Sequence, residues 1–196
     1  MAVKENIKSE ILLEKGIEIL WSKGYNGTSV NDIVKAADVP KGSFYFYFDS
    51  KEDFVVKALQ KYFVRMFARS KIILNDTSIS PKGRLINFYE FRIKTLKEDL
   101  KLEKGCMACN LGNEVGEHNE NIRKAVLNIH NKSVQSIVKV AKEAQQTGEI
   151  DASINVKDFI EFIEDAGKGA MVSMKEMKSA YPIDNFLKMV TEVLLK

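Results

Sequence analysis

Apolar residues recur along most of the chain at three- and four-residue intervals, and no long run alternates apolar with polar positions. That pattern predicts helices throughout. A first helix is expected from about Lys4 to Lys23, with Ile7, Ile11, Ile17, Leu20 and Trp21 roughly at helical spacing and Gly24 ending it. Thr28 and Ser29 are N-cap types, followed three residues later by Asn31 and Asp32. Ile33, Val34, Ala36 and Ala37 then supply the apolar face of a short second helix. Asp38-Val39-Pro40 stops it, because a residue before proline is pushed out of the α region. A third helix starts near Pro40 or Lys41 and carries Gly42, Ser43 and a run of aromatics from Phe44 to Phe48. Such a run is too wide for one apolar stripe, so some of the rings must face outward.

Further on, a fourth helix is expected from Ser50 to about Leu74, and Asn75 to Gly83 is turn chemistry. A fifth runs from about Pro81 to Leu100 with Leu85, Phe88, Tyr89, Ile93 and Leu96 on one side. After a polar break at Lys101 to Gly105 come a short segment from Cys106 to about Val115 and a long helix from about Asn119 to Thr147, stopped by Gly148. Asn155 caps a helix to about Ser179, and Pro182 opens the last, to Lys196. The fold class is all-α.

The two short helices of residues 28–48 form a helix–turn–helix. Outward tyrosines beside Lys41, Ser43 and Lys51 make a surface of hydroxyls and ammoniums suited to phosphate. Charge supports this. Residues 1–75 hold 12 Lys+Arg against 9 Asp+Glu, and residues 76–196 hold 18 of each, so the whole excess of +3 lies with the helix–turn–helix. Hydrophobic content of 45% suits a helical globule, and no apolar stretch approaches a membrane span. The charged N-terminal stretch has no secretory core, and two cysteines fit a reducing compartment, so a cytoplasmic protein with no membrane partner is expected.

Gly24-Tyr25, Thr28, Ile33-Val34, the run Lys41-Gly42-Ser43-Phe44-Tyr45-Phe46-Tyr47-Phe48 and Ser50-Lys51-Glu52 together resemble the TetR family of bacterial transcriptional regulators. The resemblance implies a helix–turn–helix DNA-binding domain at 1–50 and a helical ligand-binding and dimerisation domain at 51–196. It implies a repressor that binds a pseudo-palindromic operator in double-stranded DNA as a homodimer, is released by a small-molecule effector, and uses no cofactor. It also implies DNA contacts. Thr28 and Ser29 would meet a phosphate through the hydroxyl and nearby amides, while Lys41, Gly42 and Ser43 open the recognition helix. Tyr45 matches a contacting tyrosine. Phe46 stands where many members have tyrosine, leaving apolar contact with a thymine methyl. Tyr47 stands where histidine is common, and Lys51 matches a lysine that contacts the backbone.

In the second half, Phe88, Tyr89, Arg92, Cys106, Met107, Phe162 and Met171 are candidates for an effector site, with Phe159, Ile163 and Met174 as further walls. Arg92 could pair with an acidic ligand, or with Glu90 or Asp99. Cys106 and Cys109 could be small core residues, thiol sensors, or metal ligands with His118 or His130; a single CxxC is weak for metal, and no metal site is assigned. Glycine followed by cysteine here also resembles a subset of the family in which a cysteine responds to electrophiles or oxidants. Ala166, Gly167, Gly169 and Ala170 place small residues in mid-helix, as a close dimer contact between helices requires. Two other readings remain: an enzyme with Cys106 as nucleophile and His130 as base, against which no Gly-rich phosphate loop or paired carboxylates stand, and a structural DNA-organising factor on the same fold.

Overall fold

A computed structural model describes residues 2–196, with side chains described from Ile7 onward. Among the described residues there are nine α-helices and no strand: α1 (Ala2–Lys23), α2 (Val30–Ala36), α3 (Lys41–Tyr47), α4 (Lys51–Leu74), α5 (Pro81–Glu98), α6 (Met107–Val115), α7 (Glu120–Gln146), α8 (Val156–Met177) and α9 (Tyr181–Met189). A wide π-helical turn, Val190–Leu194, ends the last of them. Two compact units divide the chain, 1–65 with 107–129 and 66–106 with 130–196. The division falls within α4 and α7, so these two helices each contribute to both units.

In the first unit α1, α2 and α3 pack on one another, and α6 packs on α1. Leu12, Leu13, Ile17 and Leu20 form the buried face of α1, while Ile7 and Ile11 are exposed. This corrects the expected stripe: the inward face is turned so that Gly16 lies against the Phe54 ring. Phe44, Phe48 and Phe54 meet with ring centres 4.9–5.4 Å apart and anchor α3 to α4.

The second unit's core holds Leu85, Phe88 and Tyr89 of α5, Ile137 and Val140 of α7, and Ile160 and Ile163 of α8. A smaller cluster gathers Ile93, Leu96, Met171, Met174 and Ile183, with Cys106 packed against it. Arg84 is buried and donates to the Leu74 carbonyl at 3.0 Å and to Glu143 at 2.5 Å, which satisfies its charge.

Candidate nucleic-acid interface

Gly24 ends α1 at φ +72°, a left-handed conformation that glycine adopts without strain. The chain then turns, and Ser29 caps α2: its hydroxyl accepts from the Asp32 amide while Asp32 accepts from the Ser29 amide. The Ser29 hydroxyl also donates to the Asp32 carboxylate at 2.7 Å, and this bond first, then the one from the Ser29 amide, holds the Asp32 carboxyl below its usual pKa. The folded value lies below the unfolded one, so the box stabilises α2 fully above the ordinary carboxylate range and loses this as pH falls through the folded value. Ser29→Ala is expected to remove about 1 kcal/mol at neutral pH. The deficit should narrow toward the acid limb, read by urea unfolding followed at Trp21.

Thr28 stands differently from expectation. It is 1% exposed, and its hydroxyl donates inward to the Gly24 carbonyl at 2.6 Å, so its proton is committed to the turn rather than to phosphate. Lys51 also has a partner within the protein. Its ammonium donates to the Tyr25 carbonyl at 2.7 Å and lies 4.0 Å from the centre of the Tyr25 ring. Burial lowers its pKa, opposed by the Glu114 carboxylate. Both residues build the turn behind α2.

α3 starts after Pro40, whose ψ of 147° leaves it extended as the N-cap. Seven residues then sort by helical spacing. Phe44 and the flanking Phe48 are buried, whereas Lys41, Gly42, Tyr45 and Phe46 face solvent. Tyr45 is 55% and Phe46 68% exposed, and a Cβ on Gly42 would meet nothing within 4 Å. Ser43 and Tyr47 are half-buried at the edges of this face. An exposed phenylalanine beside an exposed tyrosine, held rigid by two buried rings, is a surface built to be covered.

The other candidates divide. Tyr89 is fully buried, and its hydroxyl has no well-aligned hydrogen-bond partner. Burial, then the nearby Glu164 carboxylate, push its pKa well above the ordinary value, so it remains a donor. Arg92 pairs with Glu164 at 2.5 Å rather than with Glu90 or Asp99, and flanks the Phe88 and Tyr89 rings. Burial disfavours its charge, but Glu164 more than offsets this and raises its pKa. Met171 is in the core of the same unit. Met107 is buried in the first unit, where its amide donates to the Tyr62 hydroxyl at 3.4 Å. Phe162 is 60% exposed, which places it on the outer face of α8 instead of in an enclosed wall. Of the small residues, Ala166 and Gly169 also face out, while Gly167 packs against Phe186 (an added Cβ would lie 3.2 Å from the ring) and Ala170 joins the small core cluster. Neither cysteine is in a disulfide. Among the described residues no group of three or more His, Cys, Asp or Glu side chains could hold a metal ion, and no helix is long and apolar enough to cross a membrane.

A capped helix–turn–helix with an exposed second helix, followed by a helical second domain, defines a DNA-binding regulator. Residues 12–58 match the profile of bacterial regulatory proteins of the tetR family, and residues 81–190 match the tetracyclin repressor-like C-terminal domain. The chain belongs to the TetR family. It is 35% identical over 184 residues to the HTH-type transcriptional repressor DhaR of Mycobacterium sp. strain GP1, covering 94% of this chain and 90% of that protein. It is 27% identical over 144 residues to the repressor NemR of Escherichia coli K12, covering 74% and 70%. Among solved structures, a regulatory protein TetR from Rhodobacter sphaeroides superposes with a TM-score of 0.83 at 30% identity, covering 92% of this chain and 95% of that one.

Proposed function

We propose that this chain is a dimeric repressor, acting in the cytoplasm, that grips a pseudo-palindromic operator with the α2–α3 pair of each copy and is released by a small molecule bound in the second unit. The observation that carries this reading is the sorting of α3: Phe44 and Phe48 inward, Lys41, Tyr45 and Phe46 outward. Lys41, Ser43 and the Tyr45 and Tyr47 hydroxyls grip phosphates and base edges, and Phe46 touches a thymine methyl. Direct base readout from so few polar groups is sparse, so DNA shape contributes to specificity. The test is a gel shift on the DNA upstream of its own gene at several salt concentrations. Affinity that falls steeply with salt supports the reading, and a fragment left unshifted at low salt contradicts it.

The second copy docks on the outer faces of α8 and α9, where Phe162, Met177, Tyr181, Met189 and Val193 are exposed beside Ala166 and Gly169. An apolar patch of this kind is what a subunit interface buries, and a two-fold axis would make a four-helix contact from two helices of each copy. Phe162→Glu is expected to give monomers at micromolar concentration in sedimentation, and a dimer that persists unchanged would contradict this interface.

The effector site is proposed around Tyr89, Arg92 and Glu164. Arg92 and Glu164 neutralise each other, so a ligand there is recognised mainly as an acceptor for the Tyr89 hydroxyl, among the rings of Phe88 and Phe186. Such a ligand releases DNA only through unequal affinity for the gripping and released arrangements of the dimer. A thiol-based reading keeps support from Cys106, which is in no disulfide, half-buried and within electrostatic reach of Arg92. Maleimide that releases DNA from the wild type but not from Cys106→Ser would favour it, and equal release from both would end it.

A further inference from the structure

Glu114 lies near the end of α6 and acts on a turn 89 residues away in sequence. Its carboxylate accepts from two successive backbone amides, Tyr25 at 2.8 Å and Asn26 at 2.7 Å. The glycine before them admits it: a Cβ on Gly24 would lie 2.3 Å from Glu114 Oε2. From the other side Lys51 holds the Tyr25 carbonyl at 2.7 Å. The next residue of α4, Glu52, accepts from the side-chain amides of Asn119 at 2.6 Å and Asn121 at 2.5 Å. Within the first unit, α6 and the start of α7 are thus fastened to the α1–α2 turn and to the first turn of α4 at two carboxylates.

The fastened turn leads into α2. Residues 24–28 lead directly into the Ser29 cap, and Thr28 folds back on Gly24. Two amides bound to one carboxylate are charge-assisted bonds, stronger than bonds to a neutral acceptor. We propose that Glu114 is a positioning residue for operator binding: by holding the Tyr25 and Asn26 amides it sets the α1–α2 turn that leads into the helix–turn–helix. The inference rests on the DNA-binding reading above. Sequence reasoning missed Glu114 because backbone amides leave no signature in side-chain pattern.

The test uses the full chain, Glu114→Gln and Glu114→Asp, and the DNA upstream of its own gene. A glutamine has one acceptor end and one donor end, so it cannot hold both amides, and aspartate is one methylene too short. Both variants are expected to exchange the Tyr25 and Asn26 amide hydrogens faster and to bind DNA about tenfold more weakly. Their slope of log affinity against log salt should equal that of the wild type, because no phosphate contact is lost. Their unfolding midpoints at Trp21 should fall only modestly, so that the chain remains fully folded in the binding assay. Wild-type affinity in both variants despite fast exchange overturns the proposal. So does a shallower salt slope, which would mark Glu114 as acting through phosphate contacts, or loss of fold, which would make it a purely structural tie. If the wild type leaves the fragment unshifted, the DNA reading fails and this inference with it; wild-type binding that both variants retain fails this inference alone.

Discussion

A chain carrying Lys41→Ala, Tyr45→Phe and Tyr47→Phe is expected to bind its operator at least about a hundredfold more weakly than the wild type while keeping its helical content. The rings stay in place, so the edge contact of Tyr45 on Phe44 and of Tyr47 on Phe46 is preserved. What goes is an ammonium and two hydroxyls on or beside the exposed face of α3. Bonds to a charged phosphate contribute about 1.5–3 kcal/mol each, so the loss of even two gives this magnitude. The salt slope should also become shallower by about one unit for the lysine. That separates these residues from Glu114, whose loss is expected to leave the slope alone. An unchanged affinity and slope in a folded variant would remove α3 from the interface.

Phe44→Ala is expected to destabilise the first unit by about 3–5 kcal/mol, which is a large part of the stability of an ordinary domain. Phe44 is fully buried and touches Phe48 and Phe54, so its removal leaves a cavity lined by two rings that are themselves pinned. Trp21, the one tryptophan, stacks edge-on against Tyr62 with centres 5.0 Å apart and reports on this unit. Urea unfolding followed at Trp21 should show the midpoint fall sharply. The same change should abolish DNA binding, because α3 has only seven residues and cannot hold its own helix without that anchor.

Much of this was legible in the sequence because the relevant signals are local. Ser29 with Asp32, Val39 before Pro40, Asn155 before α8 and glycines at 24 and 148 mark helix ends by short-range chemistry, and the helices fall where those residues put them. The aromatic run of α3 divides inward and outward by spacing alone. The contacts that were not legible depend on partners that no local pattern announces. Thr28 and Lys51 are drawn to the carbonyls of Gly24 and Tyr25, and Arg92 finds Glu164 at a separation of 72 residues. Ile7 and Ile11 are apolar yet exposed, because the rotation of α1 is set by what packs against Leu12, Leu13 and Ile17. Gly167 and Gly169 are two apart on one helix and therefore point to different sides; one meets Phe186 and the other faces out.

Two copies reading successive major grooves place their half-sites one helical turn apart, about 34–36 Å. The most direct measurement is a footprint on the upstream fragment, repeated after inserting half a helical turn, about five base pairs, at the centre of symmetry. Two protected patches on one face of the duplex, both lost on the half-turn insertion, are the expected result. Protection that ignores the insertion, or coats the fragment evenly, would contradict the account.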